Sequence, residues 1–148
     1  MMSPGNATTV LMLVLTVILS GTCSQSPEKF VSAAQVETLL RQQSSINEKK
    51  LQQLRQFGVD EKSGISVDFF FATDDSLKAL RLADELTALQ YHMNAIHPSS
   101  NNRLLYVASG SSSRMVMNLP SINAWTDSMY HMGFRNDCLF SGWNPVTE

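Results

Sequence analysis

The side chains capable of acid–base or nucleophilic chemistry are few, and their spacing limits what they can do. His92 and His97 stand five residues apart in the segment QYHMNAIH. On a strand, successive side chains alternate between faces, so an odd separation places these two on opposite faces. They cannot then share a metal ion without help from elsewhere. His131 falls alone on an expected helix, and no Cys or His spacing resembles a zinc site, so neither a metal nor a cofactor is expected. A small hydrolase would need His92 or His97 beside a carboxylate such as Asp68, and a nucleophile next to that base. No such nucleophile is evident, and no catalytic residue is assigned.

Two other stretches resemble chemical sites and have plainer readings. Asp74 and Asp75 form an acidic pair, but with Thr73 and Ser76 they precede a helical pattern, where carboxylates complement the positive end of the helix dipole. Gly110-Ser111-Ser112-Ser113 has the look of a phosphate loop. It lacks the Gly-Lys-Ser/Thr ending and the second glycine, and reads as a turn. The cysteines are Cys23 and Cys138. Two cysteines define no disulfide framework, and Leu139 and Phe140 beside Cys138 favour burial as an inert thiol.

Residues 1–24 stand apart from the rest. Val10 to Leu19 is apolar except for Thr16, small residues follow from Ser20 to Ser24, and no charged side chain precedes Glu28. The run is too short to span a bilayer, which takes about 20 residues. It fits the core and cleavage zone of a secretory signal, so a secreted or periplasmic protein with no membrane span in the mature chain is expected. Cleavage after Gly21, Thr22 or Ser24 decides the fate of Cys23. If retained, it could carry a lipid anchor or pair with Cys138.

With 148 residues and 43% apolar content, the chain is long enough for one domain with a real core. A net charge of −2 argues against nucleic-acid binding through a broad basic surface. Residues 25–57 read as a helical segment in two pieces, about Pro27 to Gln43 and Ile46 to Phe57, divided at Ser44-Ser45. Such a segment could be a simple leader helix, a mobile arm or a pairing surface. Residues 58–148 read as the main domain. Ile65 to Ala72 is a strand with Ile65, Val67, Phe69 and Phe71 on one face. Leu77, Leu80, Ala83, Leu86 and Leu89 mark the next helix, and Ala79, Leu82 and Ala88 widen its stripe. Gln90 to His97 and Arg103 to Ser109 are strands. Arg114 to Asn118 is a hairpin return or a lead-in to the last helix. Asn118 or Ser121 caps that helix, Pro120 lies near its start, and Gly133 ends it. Phe134 then opens the last strand, laid against the triple-Phe strand.

The order from Gly64 is strand, helix, strand, strand, helix, strand, a ferredoxin-like βαββαβ arrangement of the α+β class with N-terminal helices. Tyr106, Met115 and Met117 are the first candidates for an exposed binding surface, unless they belong to the core. Trp125 and Trp143 are expected as structural anchors.

From about Leu54 to Trp143 the chain resembles the bacterial regulator of ribonuclease activity B family. The resemblance rests on the helix ending in Phe57-Gly58, the aromatic strand Val67 to Phe71, and the helix Leu77 to Leu89 running into Tyr91. Trp125 and the closing Phe140-Ser141-Gly142-Trp143 complete it, with Ser141 where the family typically has Asp. The resemblance implies a ferredoxin-like module that acts without catalysis, by binding the regulatory part of ribonuclease E. An exported chain would not meet that enzyme in the cytoplasm, which leaves the partner open.

Overall fold

A computed structural model describes residues 28–146. The expected export segment over residues 1–24 and the fate of Cys23 lie outside the described residues. The chain folds as an α+β protein. Its elements are α1 (Ala33–Gln56), β1 (Gly64–Ile65), β2 (Val67–Thr73), α2 (Ser76–Ala88), β3 (His92–Pro98), β4 (Tyr106–Ser111), β5 (Met115–Val116), α3 (Leu119–Arg135) and β6 (Leu139–Pro145).

The first helix corrects the two-piece expectation. Ser32 caps it, its hydroxyl accepting from the Gln35 amide at 3.1 Å, and it then runs unbroken for 24 residues. Ser44 and Ser45 do not break it, because serine costs a helix interior only a few tenths of a kcal/mol. The buried face continues across them as Val36, Gln43, Asn47, Leu51 and Leu54. That face rests on α3.

The main sheet is four-stranded and antiparallel in the order β3-β4-β2-β6. The segment from Arg114 proves to be a strand return, with β5 pairing β1 in a separate two-stranded sheet. In β2 the odd-numbered residues Val67, Phe69, Phe71 and Thr73 are buried, while Asp68, Phe70 and Ala72 face the other way. Phe69 meets Phe71 and Tyr91 edge-on at 6.0 and 5.5 Å, and Trp125 meets Phe140 and Trp143 at 6.0 and 6.5 Å. Offset and edge-on rings add to the burial energy of such a core. The helices cover this aromatic face, and its partner face is open.

Helix α2 is capped by Asp75, whose carboxylate accepts from the Leu77 amide at 2.8 Å. Its buried stripe is Ala79, Leu82 and Leu86, whereas Leu77, Leu80 and Leu89 are exposed. The buried line thus runs along Leu86 and the widening positions Ala79 and Leu82, and the expected face is turned away from Leu77, Leu80 and Leu89. The observed roll lets Lys78 reach Asp137 and Glu85 reach Arg135 at the far end of α3.

Asn118 caps α3, accepting from the Ser121 amide at 2.9 Å. Gly133 does not end this helix, which continues to Arg135. A side chain at Gly133 would place its Cβ 2.5 Å from the Cys138 carbonyl and 2.9 Å from the Phe71 ring, so this glycine allows close packing. The reversal is made at Asp137, with φ 56, a left-handed conformation that Asp tolerates better than most residues. The last strand consequently starts at Leu139 and not at Phe134.

Two polar connections, one buried and one partly buried, hold the layers together. Asn47 is fully buried, and every hydrogen-bonding position of its amide is used. It donates to Asn123 at 2.9 Å and Thr126 at 3.0 Å, and accepts from Gln43 at 2.8 Å and the Trp143 indole at 2.9 Å. The Gln43 carbonyl in turn accepts from the Tyr130 hydroxyl at 2.9 Å. The second connection is the Asp137 carboxylate, which accepts from the amides of Phe30 and Val31 at 3.0 and 2.8 Å and from Lys78 at 2.6 Å. Burial works to raise this carboxyl, but those hydrogen bonds and the Lys78 charge outweigh it and hold it below the usual range.

Trp143 is 1% exposed, so Trp143→Ala is expected to lower stability by about 3–5 kcal/mol in urea melts. Trp143→Phe, which removes mainly the indole donor, should cost about 1–3 kcal/mol. Because the folded Asp137 carboxyl lies below its unfolded value, its contribution is present above the unfolded pKa and is lost as pH falls through the folded one. Asp137→Asn should cost about 1–3 kcal/mol at pH 7. Its penalty should shrink toward zero in melts carried into that acid range.

Candidate functional site

The acid–base candidates share one face without forming a site. Asn94 is an extra residue in β3, a bulge that shifts the register against β4 between Met93 and Ala95. The bulge cancels the odd spacing, so His92 and His97 lie on the same open face, opposite Ser111 and Val107 respectively. The expectation of opposite faces is corrected on that ground. Ser111 also pairs with Asp68, which gives a row His92, Ser111, Asp68 across adjacent strands. No hydrogen bond joins these side chains among the described residues. The His97 ring contacts only the Pro98 carbonyl at 2.9 Å, and both histidines are exposed. His131 stands 3.6 Å from Asp127 on the exposed side of α3. No group of three or more His, Cys, Asp or Glu is placed to hold a metal ion among the described residues.

The expected binding residues separate. Met117 is 0% exposed and belongs to the core, which corrects its place on a surface. Its burial follows from the turn into α3, where its amide bonds the Ser63 carbonyl at 3.2 Å and its carbonyl accepts from Arg55. Met115 is half-buried in β5, with its sulfur 3.9 Å from the Ser112 hydroxyl. Tyr106 is half-buried at the start of β4, paired with Thr73 and Pro98 on the helix-bearing face. Phe140 and Trp143 are core residues, and Gly142 adopts φ 131 at the bulge where β6 shifts against β2. Asp74 bonds Lys78 at 2.7 Å beside the start of α2 and has a structural role. Cys138 is buried, and desolvation pushes its thiol up to about 11.

The feature that residue types alone did not reveal is an apolar groove of about 490 Å³. Leu54 and Phe57, at the end of α1, line it. Val59 and Ile65 line it as well, as do Pro145 and Val146 at the end of β6. Phe57 is 83% exposed at the C-cap of α1. Lys50, Gln53, Ser66, Arg114 and Asn144 edge the groove. Lys50 is fixed by donating to the Trp143 carbonyl and lies 4.8 Å from the Trp143 ring centre, and burial lowers its ammonium from the ordinary lysine value. Arg55 steadies the same corner, donating to the carbonyls of Val59 at 2.8 Å and of Met117. The sequence signal was the Phe57-Gly58 pair. It marks a helix end but does not say that the ring points to water.

A sequence model of the regulator of ribonuclease activity B (RraB) family matches residues 44–144. That span covers more than half of the chain, from the middle of α1 almost to the end of β6. No curated protein matches the chain.

The buried, undissociated Cys138 thiol is expected to resist alkylation. Peptide mapping after iodoacetamide at pH 8 should find Cys138 unmodified in the folded protein and fully modified in denaturant. Rapid labelling under native conditions would contradict its burial.

Proposed function

The chain belongs to the regulator of ribonuclease activity B family, and from that premise we propose that it is a non-enzymatic regulatory module that acts by binding a protein. The family match carries this reading. The described side chains agree with it: His92, His97 and Asp68 are neither hydrogen-bonded to one another nor enclosed, so the hydrolase alternative has no assembled base. An apolar groove with an exposed aromatic rim is the kind of surface that takes an anchor residue from a partner. The succession from β2 to β6, with the sheet order β3-β4-β2-β6, supports a ferredoxin-like description of the domain.

We further propose that the protein is exported. The apolar run Val10 to Leu19 and the small residues after it support this. The partner would then lie outside the cytoplasm, and the family's name would describe an ancestry of binding rather than this chain's target.

The test is intact mass and fractionation of the protein in its own organism, followed by cross-linking in the compartment where it is found. The expected result is a chain lacking its first 21 to 24 residues, outside the cytoplasm, cross-linked to a protein in fixed stoichiometry. The His92→Ala, His97→Ala double variant should retain that cross-link. A full-length cytoplasmic chain overturns export and makes calorimetry against the regulatory region of ribonuclease E the deciding measurement. Turnover of a substrate that the double variant abolishes would overturn the non-enzymatic reading.

A further inference from the structure

We infer that the cleft between the end of α2 and the turn from β4 to β5 takes an uncharged amide side chain, Asn or Gln, of the partner protein, held by the Gln90 carboxamide and the Tyr91 hydroxyl. This inference rests on the protein-binding reading and adds to it a contact site with its own chemistry.

The first argument is the identity of Gln90. Helix α2 ends in a Schellman turn, with the Gln90 amide bonding the Thr87 carbonyl and the Tyr91 amide the Leu86 carbonyl, both at 3.0 Å. That turn needs a left-handed residue, and Gln90 supplies it with φ 68. Glycine is favoured there, because a side chain crowds the backbone in this conformation. Among the described residues, Gln90 and Asp137 are the non-glycine residues with positive φ. The Asp137 side chain explains itself, since its carboxylate binds Phe30, Val31 and Lys78. The Gln90 carboxamide bonds nothing among the described residues and lines the cleft. The fold therefore gives no reason for glutamine at this position, and residues held in sparsely populated conformations cluster at ligand sites.

The second argument is what the cleft offers. Its volume of about 290 Å³ lies at the small end for ligand pockets, so it suits one side chain. Leu89, Met115 and Trp125 supply apolar lining, and no charged side chain lines it. The Ser112 hydroxyl is already used, accepting from the Val67 amide at 3.0 Å and donating to the Ser113 carbonyl at 2.8 Å. The Trp125 indole is used too, donating to the Tyr91 hydroxyl at 3.0 Å. Having accepted that bond, Tyr91 keeps its own hydrogen to donate, and Gln90 keeps an acceptor and two donors. A carboxylate or ammonium entering the cleft would lose water without gaining a counter-charge. A purely apolar side chain would strip water from Tyr91 and Gln90 and return no hydrogen bond. An amide avoids both penalties. Its carbonyl accepts from Tyr91 or Gln90, and its NH2 group donates to the Gln90 carbonyl.

The test is titration of the isotopically labelled full chain with N-acetyl-glutamine N-methylamide, read by the shifts of backbone and indole N–H resonances. Saturable shifts are expected at Gln90, Tyr91, Ser113 and the Trp125 indole. The glutamate and norleucine counterparts of the probe should bind about fivefold more weakly or worse. Gln90→Met keeps the length and the left-handed conformation but lacks the amide. It should melt like the parent chain and bind the glutamine probe about fivefold more weakly. Gln90→Gly should lose the same binding yet melt about 2–5 °C higher, a gain in stability joined to a loss of recognition. Equal binding by Gln90→Met overturns the inference, as does a glutamate or norleucine probe that binds as tightly as glutamine. Absence of any saturable shift overturns it, and so does a Gln90→Gly chain that melts below the parent, which would give this glutamine a role in the fold. Any of these failures beside a cross-linked protein in the compartment test removes the pocket and leaves the protein-binding reading standing. The same failure with no cross-linked protein removes both.

Discussion

The seating of α1 on α3 and the last strand depends on the amide of Asn47. It is fully buried on α1, yet it binds Asn123 and Thr126 on α3 and the Trp143 indole on β6, so one side chain joins two helices and a strand. A buried amide is costly unless its donors and acceptors are met, and at Asn47 all are. That requirement fixes more than an apolar contact would. Apolar surfaces can slide past one another at little cost, but a one-residue shift of α1 along α3 would strand several buried polar atoms. The apolar residues Val36, Leu51 and Leu54 supply the burial energy of α1, and Asn47 with Gln43 supplies its register.

The sequence was most informative where local chemistry decides the structure. The alternation of Val67, Phe69 and Phe71, the Asp75 and Asn118 caps and the pairing of the last strand with the triple-Phe strand all follow from short-range patterns. It was least informative where a distant partner decides. Gln43 and Asn47 look like residues that dilute an amphipathic helix, and only Tyr130, Thr126 and Trp143 make their burial sensible. Leu77, Leu80 and Leu89 look like a core stripe, but α2 buries Ala79, Leu82 and Leu86 instead, a choice made by the surface it packs on. Gly133 looks like a helix stop. It is instead a packing position under Phe71, while Asp137 makes the turn and has its carboxylate satisfied by Phe30, Val31 and Lys78.

Bulges explain the remaining differences. A strand pattern read at period two assumes that no residue is inserted, and both edge strands of the main sheet break that assumption. In β3 the extra Asn94 brings His92 and His97 to one face. In β6 the extra Ser141 lets Phe140 and Trp143, three apart, both point into the core, and Gly142 supplies the left-handed φ between them. The closing Phe140-Ser141-Gly142-Trp143 stretch is thus a folding device. Ser141 itself is exposed, its hydroxyl 3.3 Å from the Leu139 carbonyl, so the residue type at that position is not set by the core.

Trp143 links this scaffold to the groove. Its indole nitrogen is tied to Asn47, its ring is buried against Trp125, and its carbonyl and ring face hold the ammonium of Lys50. The groove's cation is therefore positioned by the same residue that closes the buried polar network. A lysine on a free surface would sample many rotamers and lose about 2 kcal/mol of side-chain entropy on gripping a ligand. Lys50 has already been ordered by folding, so little of that loss remains to be met on binding. The arrangement ties the groove's edge to the integrity of the core: a change that loosens Trp143 also releases the ammonium of Lys50, even with Phe57 untouched.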